Sequence, residues 1–164
     1  MGKSAHVILI ASVICLLSLL VIIEGFKNRV IIIEGSVYCD PCRSAFQSNL
    51  SEPLPGARVQ LQCHRLKTKK ETLNSSGMTN SMGKYRIIIE GGHKNESCGV
   101  NLVSSSKEDC NVYPDYPRIA IITLNSRKIS DVQVYTAAPL RFLTKIPSTE
   151  CVHAQFIPYY HETN

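Results

Sequence analysis

Apolar positions along this chain come in short runs, and most runs alternate with polar residues. In 57–64, Ala57, Val59, Leu61 and Cys63 share one side while Arg58, Gln60, Gln62 and His64 share the other. A period of two is that of a strand with one face in a core and one in water. Tyr85, Ile87 and Ile89 repeat the pattern against Arg86 and Glu90, with Ile88 interrupting it, and Cys98, Val100 and Leu102 alternate inward again. The run 29–38 is β-branched and apolar enough to be a buried strand. Residues 119–124 and 132–135 read as further strands. The polar stretch 67–73 reads as an edge strand, where lysines discourage pairing with other chains. Turn chemistry separates these runs: Pro55-Gly56, a hairpin turn over 79–85 with Gly83 at positive φ, Gly91-Gly92, and a loop with Pro114 and Pro117. Residues 43–51 fit a helical turn or a loop. No helix of convincing length and no internal repeat is present. About seven strands predict an all-β fold, an antiparallel β-sandwich or barrel.

The first 25 residues stand outside that pattern. Lys3 precedes 17 consecutive apolar or small residues, 7–23, short for a membrane span and in the order of a signal peptide. We expect a signal peptide over 1–25, cleaved after Gly25, and one β domain over 26–164. An uncleaved anchor is the alternative, because Ile23-Glu24-Gly25 is not a small-x-small site. His6 stands where an N-myristoylation signal has Ser or Thr, and the tail 159–164 resembles neither an ER-retention signal nor a lipid-anchor signal. The expectation is a monomer secreted to the extracellular space or cell wall, with no membrane attachment after cleavage. Removing 1–25 takes away one cation, Lys3, and one anion, Glu24, so the net charge stays at +5. That charge favours acidic partners weakly and does not suggest nucleic acid.

An oxidising destination changes the reading of the cysteines. Beyond Cys15 in the leader there are six: Cys39, Cys42, Cys63, Cys98, Cys110 and Cys151, an even number for a secreted chain. Cys39-Asp40-Pro41-Cys42 places two thiols across a turn at the end of a strand. They are a redox dithiol, half of a metal site, or two half-cystines with remote partners. A redox site needs a helix N-terminus to lower the thiol pKa, and no amphipathic helix follows Cys42. Zinc needs two more ligands at compatible spacing, and there is no second C-x-x-C or H-x3-H. The structural disulfide is favoured. Three sequons, at Asn49, Asn74 and Asn95, lie in polar, turn-like contexts and are glycan acceptors in a secreted chain.

The segment Gly35-Ser36-Val37-Tyr38-Cys39-Asp40-Pro41-Cys42-Arg43 resembles the signature of the olive major pollen allergen family, also called the pollen allergen and extensin-like family. The resemblance continues through 54–63 and 79–85 and along the six-cysteine ladder, covering roughly 30–158. It implies a small secreted plant glycoprotein, often of pollen, with a disulfide-stapled β-barrel or sandwich and no established enzymatic activity. It also implies the pairing Cys39–Cys110, Cys42–Cys151 and Cys63–Cys98.

Other constellations add little chemistry. His64, His93, His153 and His161 are scattered and read as solvated or locally hydrogen-bonded. There is no phosphate loop, nucleophile elbow or paired-carboxylate motif, so we expect no enzyme, no cofactor and no metal. Arg65, Lys67, Lys69 and Lys70 form the basic cluster, a solvated edge or a contact for acidic wall polysaccharide or an acidic receptor face. Tyr113, Tyr116, Phe142, Tyr159 and Tyr160 read as core packing and loop anchoring rather than a sugar platform. The leading functional expectation is an extracellular interaction protein in growth such as pollen-tube development, with a receptor as partner. A polysaccharide-associated wall component is the alternative, and a secreted thiol oxidoreductase comes third.

Overall fold

The computed structural model describes Cys15 and residues 30–157, leaving aside 94, 117, 130 and 131, and gives the backbone alone at 121 and 123–129. The leader apart from Cys15, and the tail with Tyr159, Tyr160 and His161, lie outside the described residues. Nine strands follow in order: β1 (Val30–Asp40), β2 (Glu52–Pro53), β3 (Arg58–Arg65), β4 (Glu71–Met78), β5 (Lys84–Glu90), β6 (Glu96–Ser104), β7 (Ile119–Ile129), β8 (Val132–Ala137) and β9 (Leu140–Leu143). A 3-10 turn at Thr149–His153 follows them. Among the described residues, no helix is long and apolar enough to cross a membrane.

Seven strands succeed one another as β5-β1-β8-β7-β6-β3-β4. β7 is the corner. Its first residues pair with β6 and its remainder pairs with β8, so two sheets share one bent strand. At the seam, a Cβ on Gly77 of β4 would stand 2.8 Å from Ile87 Cγ1 of β5, so bare backbone lets the two strands approach. The expected all-β, disulfide-stapled architecture is what forms.

β1 organises the fold by changing partners halfway. Val30 to Glu34 lie between β5, antiparallel, and β8, parallel, and the β5 pairing continues to Ser36. From Val37 to Asp40 the same strand lies between β2, antiparallel, and β9, parallel. The two parallel ladders qualify the antiparallel reading. They arise because β1 comes first in the chain and is joined late by distant segments. At the switch, Gly35 faces Tyr85, whose ring fills the space a side chain would need. Gly83 (φ +70°) approaches even more closely: its carbonyl accepts from Val37 N–H at 2.8 Å, and a Cβ there would meet Val37 O at 2.6 Å.

The core takes alternate residues of each strand: Val59, Leu61 and Cys63 from β3, Tyr85, Ile87 and Ile89 from β5, and Val100 and Leu102 from β6. Ile88 points outward and is exposed. Burying each large aliphatic side chain contributes about 1.5–3 kcal/mol. Two placements differ from the sequence reading. The lysines expected in an edge strand form the β3–β4 turn instead, and the edge strand runs from Glu71 to Met78. Asn74 consequently sits within that strand rather than in a turn. Residues 43–51 take the loop alternative, an irregular loop in which Arg43 (φ 53°) and Ala45 (φ 70°) are left-handed.

Candidate interaction surfaces

The C-x-x-C segment ends β1 and turns on Asp40. This carboxylate is fully buried, and it accepts from Cys42 N–H at 3.0 Å and Ser44 N–H at 3.1 Å. Such a turn satisfies two backbone donors that a tight loop would otherwise strand. Its charge faces Arg141 of β9, whose Nε lies 3.6 Å from Asp40 Oδ2, while an Arg141 Nη–H donates to Tyr116 O at 3.1 Å. Burial pushes the neighbouring Tyr38 phenol above its ordinary pKa, with the Arg141 charge opposing.

The structure joins Cys39 to Cys110 and Cys42 to Cys151, and Cys63 to Cys98. The first two tie the end of β1 to late segments 71 and 109 residues away in sequence. The third links core-facing partners in register on β3 and β6. Hydrogen bonds complete the tether. Ile157 N–H donates to Gln47 O at 2.7 Å, Asn49 N–H to Gln155 O at 3.0 Å, and Gln155 N–H to Asn49 Oδ1 at 2.9 Å. Neither cysteine of the C-x-x-C is a thiol in this arrangement, so the turn carries no dithiol. The cluster of metal-ligand residues among those described, Cys63, Glu96 and Cys98, contains two half-cystines, which offer no thiolates to an ion.

Arg65 ends β3, and Lys67, Lys69 and Lys70 follow on the β3–β4 turn; all four are exposed, and Arg65 N–H and Lys69 N–H brace the turn by bonds to Lys70 O and Arg65 O. Pattern reading placed these charges together but not at a hairpin tip. The sequon asparagines are exposed and well separated: Asn49 at the disulfide end, Asn74 on the outer edge of β4, and Asn95 in a turn at φ 96° before β6. The aromatic residues do not form one platform. Phe142 is buried edge-on against Tyr113 (5.2 Å), whereas Tyr116 stands 82% exposed. Another apolar group, at the disulfide end, has no signature in the chain's pattern: exposed Phe46 meets Phe156 edge-on at 6.4 Å. Its two rings are far apart in sequence.

The sequence and the fold have counterparts among known proteins. A family model described as "Pollen protein Ole e 1 like" matches residues 29–156. The anther-specific protein LAT52 of Solanum lycopersicum is 42% identical over 106 residues, 65% of each chain, so the match spans just under two thirds of LAT52. Pollen allergen Cro s 1 of Crocus sativus is 31% identical over 156 residues, 92% of this chain and 91% of its own. The crystal structure of the major plantain pollen allergen Pla l 1 superposes with a TM-score of 0.62 at 30% identity, covering 74% of this chain and 99% of that one. These relatives are named as anther proteins or pollen allergens, not as enzymes. The chain belongs to the pollen Ole e 1-like family.

Proposed function

We propose that this protein is a secreted pollen glycoprotein that works by binding rather than catalysis, with an extracellular receptor as its partner during growth such as pollen-tube development. The similarity to an anther-specific protein carries the reading. The rigid disulfide end supports it, since two cross-links and a buried ion pair hold a surface in one shape without presenting a reactive group. In this reading the 1–25 segment directs export and is removed near Gly25. The mature monomer starts close to Phe26 and carries N-glycan on at least one of Asn49, Asn74 and Asn95. The exposed cluster Arg65, Lys67, Lys69 and Lys70 favours a second reading, retention on acidic wall polysaccharide.

The test is cross-linking and affinity purification of tagged protein from its own tissue, with the N-terminus and deglycosylated mass read on the same sample. Receptor binding predicts a membrane-protein ectodomain that co-purifies and survives neutralisation of Lys67, Lys69 and Lys70 to Gln. Wall retention predicts salt-extractable protein that the triple substitution releases. Met1 retained on a membrane-bound form would overturn the secreted reading.

A further inference from the structure

Two large aromatic rings stand bare at the disulfide end. Phe46 is 65% exposed and Phe156 54%, and they meet at 72° with centroids 6.4 Å apart. Exposed Ile157 follows Phe156 in the chain. Single exposed apolar residues are ordinary, whereas apolar groups gathered on a fixed frame mark something that packs on them. The frame here is fixed. Cys42–Cys151 joins the two segments, Ser48 and Phe156 form an antiparallel bridge, and Ile157 N–H donates to Gln47 O at 2.7 Å. Ser48 is buried, and its N–H donates to Ser51 Oγ at 2.9 Å.

The cover is at hand on the same loop. Phe46 stands three residues before the sequon asparagine in Phe46-Gln47-Ser48-Asn49-Leu50-Ser51. Asn49 also touches the segment that carries the second ring. Its N–H donates to Gln155 O at 3.0 Å, and its Oδ1 accepts from Gln155 N–H at 2.9 Å. The side-chain amide is thereby held between the segments that bear Phe46 and Phe156. Its oxygen is used, whereas Nδ2, the atom that a glycan takes, makes no hydrogen bond among the described residues. Asn74 differs: its Nδ2–H donates to Glu71 Oε1 at 3.4 Å and its Oδ1 accepts from Gln60 at 2.8 Å. Neither Asn74 nor Asn95 has a Phe or Tyr within three positions.

We infer that an N-glycan on Asn49 packs its first N-acetylglucosamine on the Phe46–Phe156 pair. The inference rests on the reading of this chain as a secreted glycoprotein, and it gives one sugar a seat and a role. The sugar arrives from a lipid-linked donor. Nδ2 bonds to its C1 as the C1–O bond to the lipid diphosphate breaks, and Nδ2 gives up one hydrogen as a proton. Every ring substituent of a β-linked N-acetylglucosamine is equatorial, so each face of the sugar presents only C–H groups. Such a face is an apolar plate, and its hydrogens are drawn to the negative face of an aromatic ring. The two phenylalanines, nearly perpendicular, form an L-shaped seat in which the plate lies on one ring and its edge meets the other. The hydroxyls stay at the rim in water, so apolar surface is covered without stranding a polar group.

The test uses protein secreted from plant cells, with Asn74 and Asn95 replaced by Gln and the remaining glycan trimmed enzymatically to its first sugar. The same chain secreted under an inhibitor of glycan transfer is the sugar-free reference. The one-sugar protein melts roughly 3–5 °C above that reference. With Phe46 and Phe156 both changed to Ala, the gain falls to about 1 °C or less. A second readout needs neither alanine: ring currents move the first sugar's protons upfield of their positions on the reduced, unfolded chain. Peptide mass mapping of the native protein, all three sequons intact, separates the two readings. Asn49 bare with Asn74 or Asn95 occupied overturns the inference, leaves the rings to a protein partner and keeps the glycoprotein reading, whereas no sugar on any sequon sinks both. With Asn49 occupied, a gain that persists in the double alanine variant, or sugar protons that do not shift, overturns the inference alone.

Discussion

Where β1 ends, Asp40 is fully buried, Cys42 and Ser44 donate to it, Arg141 faces it, and two disulfides arrive from segments 71 and 109 residues away. Where β1 begins, Ile31 and Ile33 of the same strand line a half-open depression of about 660 Å³ that Gly91 and Gly92 also line. The difference comes from what flanks the strand. At the far end β2 and β9 pair with it over a few residues each, too little ladder to hold alone, and covalent links and a charge pair supply the rest. At the near end β5 and β8 pair with it over longer stretches, so the backbone is secure and a depression can be left beside it. One end is rigid because its secondary structure is short. The other can stay open at its rim because its secondary structure is long.

The cross-links test this most strongly. Loop-closure entropy scales with the logarithm of loop length, and with Cys39–Cys110 intact the Cys42–Cys151 bond closes a path of only about 45 residues through that bridge, so losing it costs about 4 kcal/mol, much as losing Cys63–Cys98, separation 35, does. Urea unfolding of the paired Cys→Ser variants should show losses equal within about 1 kcal/mol. A clearly larger loss for Cys63–Cys98 would mean that the open end depends more on its staple.

Next in size is the buried charge. Asp40→Ala strips Cys42 and Ser44 of their acceptor and leaves Arg141 buried without its counter-ion, a change worth about 3–5 kcal/mol. Asp40→Asn keeps an acceptor oxygen and should fall between that variant and the native protein. If Asp40→Ala unfolds within about 1 kcal/mol of native, the disulfides alone hold this end and the ion pair adds nothing.

How far the sequence announced these two ends depends on which forces each one uses. Alternation exposed Val59, Leu61 and Cys63, and Tyr85, Ile87 and Ile89, because those strands have one wet face and one dry face. It missed β9, whose four residues Leu140, Arg141, Phe142 and Leu143 are all buried. With both faces covered there is no period to read, and an arginine there looks like surface. The parallel pairing of β1 with β8 and β9 leaves no local mark either, since the partners lie far apart in sequence. The depression was equally silent, because its lining comes from strands scattered along the chain. His93 was read as solvated or locally bonded, and its bond to Glu96 is local. The basic cluster could be read as a cluster, but a hairpin turn and an edge strand share the same lysine-rich composition, and only the register of β3 with β4 shows which it is.

The smallest effect separates the two ends by pH. Glu96 is held below the ordinary glutamate range, chiefly by the His93 hydrogen bond, with Thr72 and the Arg65 charge assisting and burial opposing. A carboxyl whose folded pKa is lowered stabilises the fold fully above its unfolded value, and that stability is lost as pH falls through the lowered one. Acidification should therefore loosen the start of β6 and the rim of the depression. Glu96→Gln should cost about 1 kcal/mol at neutral pH and remove that part of the acid sensitivity. Hydrogen exchange resolves where the loss falls. In the native protein, acid should raise the opening of amides around Ser97 and Cys98 above the intrinsic pH trend. In Glu96→Gln the same amides should already be loosened at neutral pH and respond less to acid. The amides of Cys42 and Ser44, held by Asp40 at the other end, should not distinguish the two proteins. Equal acid response at Ser97 in both would show that the His93–Glu96 contact does not tie down the open end, and that the β1–β5 and β1–β8 ladders hold it without help.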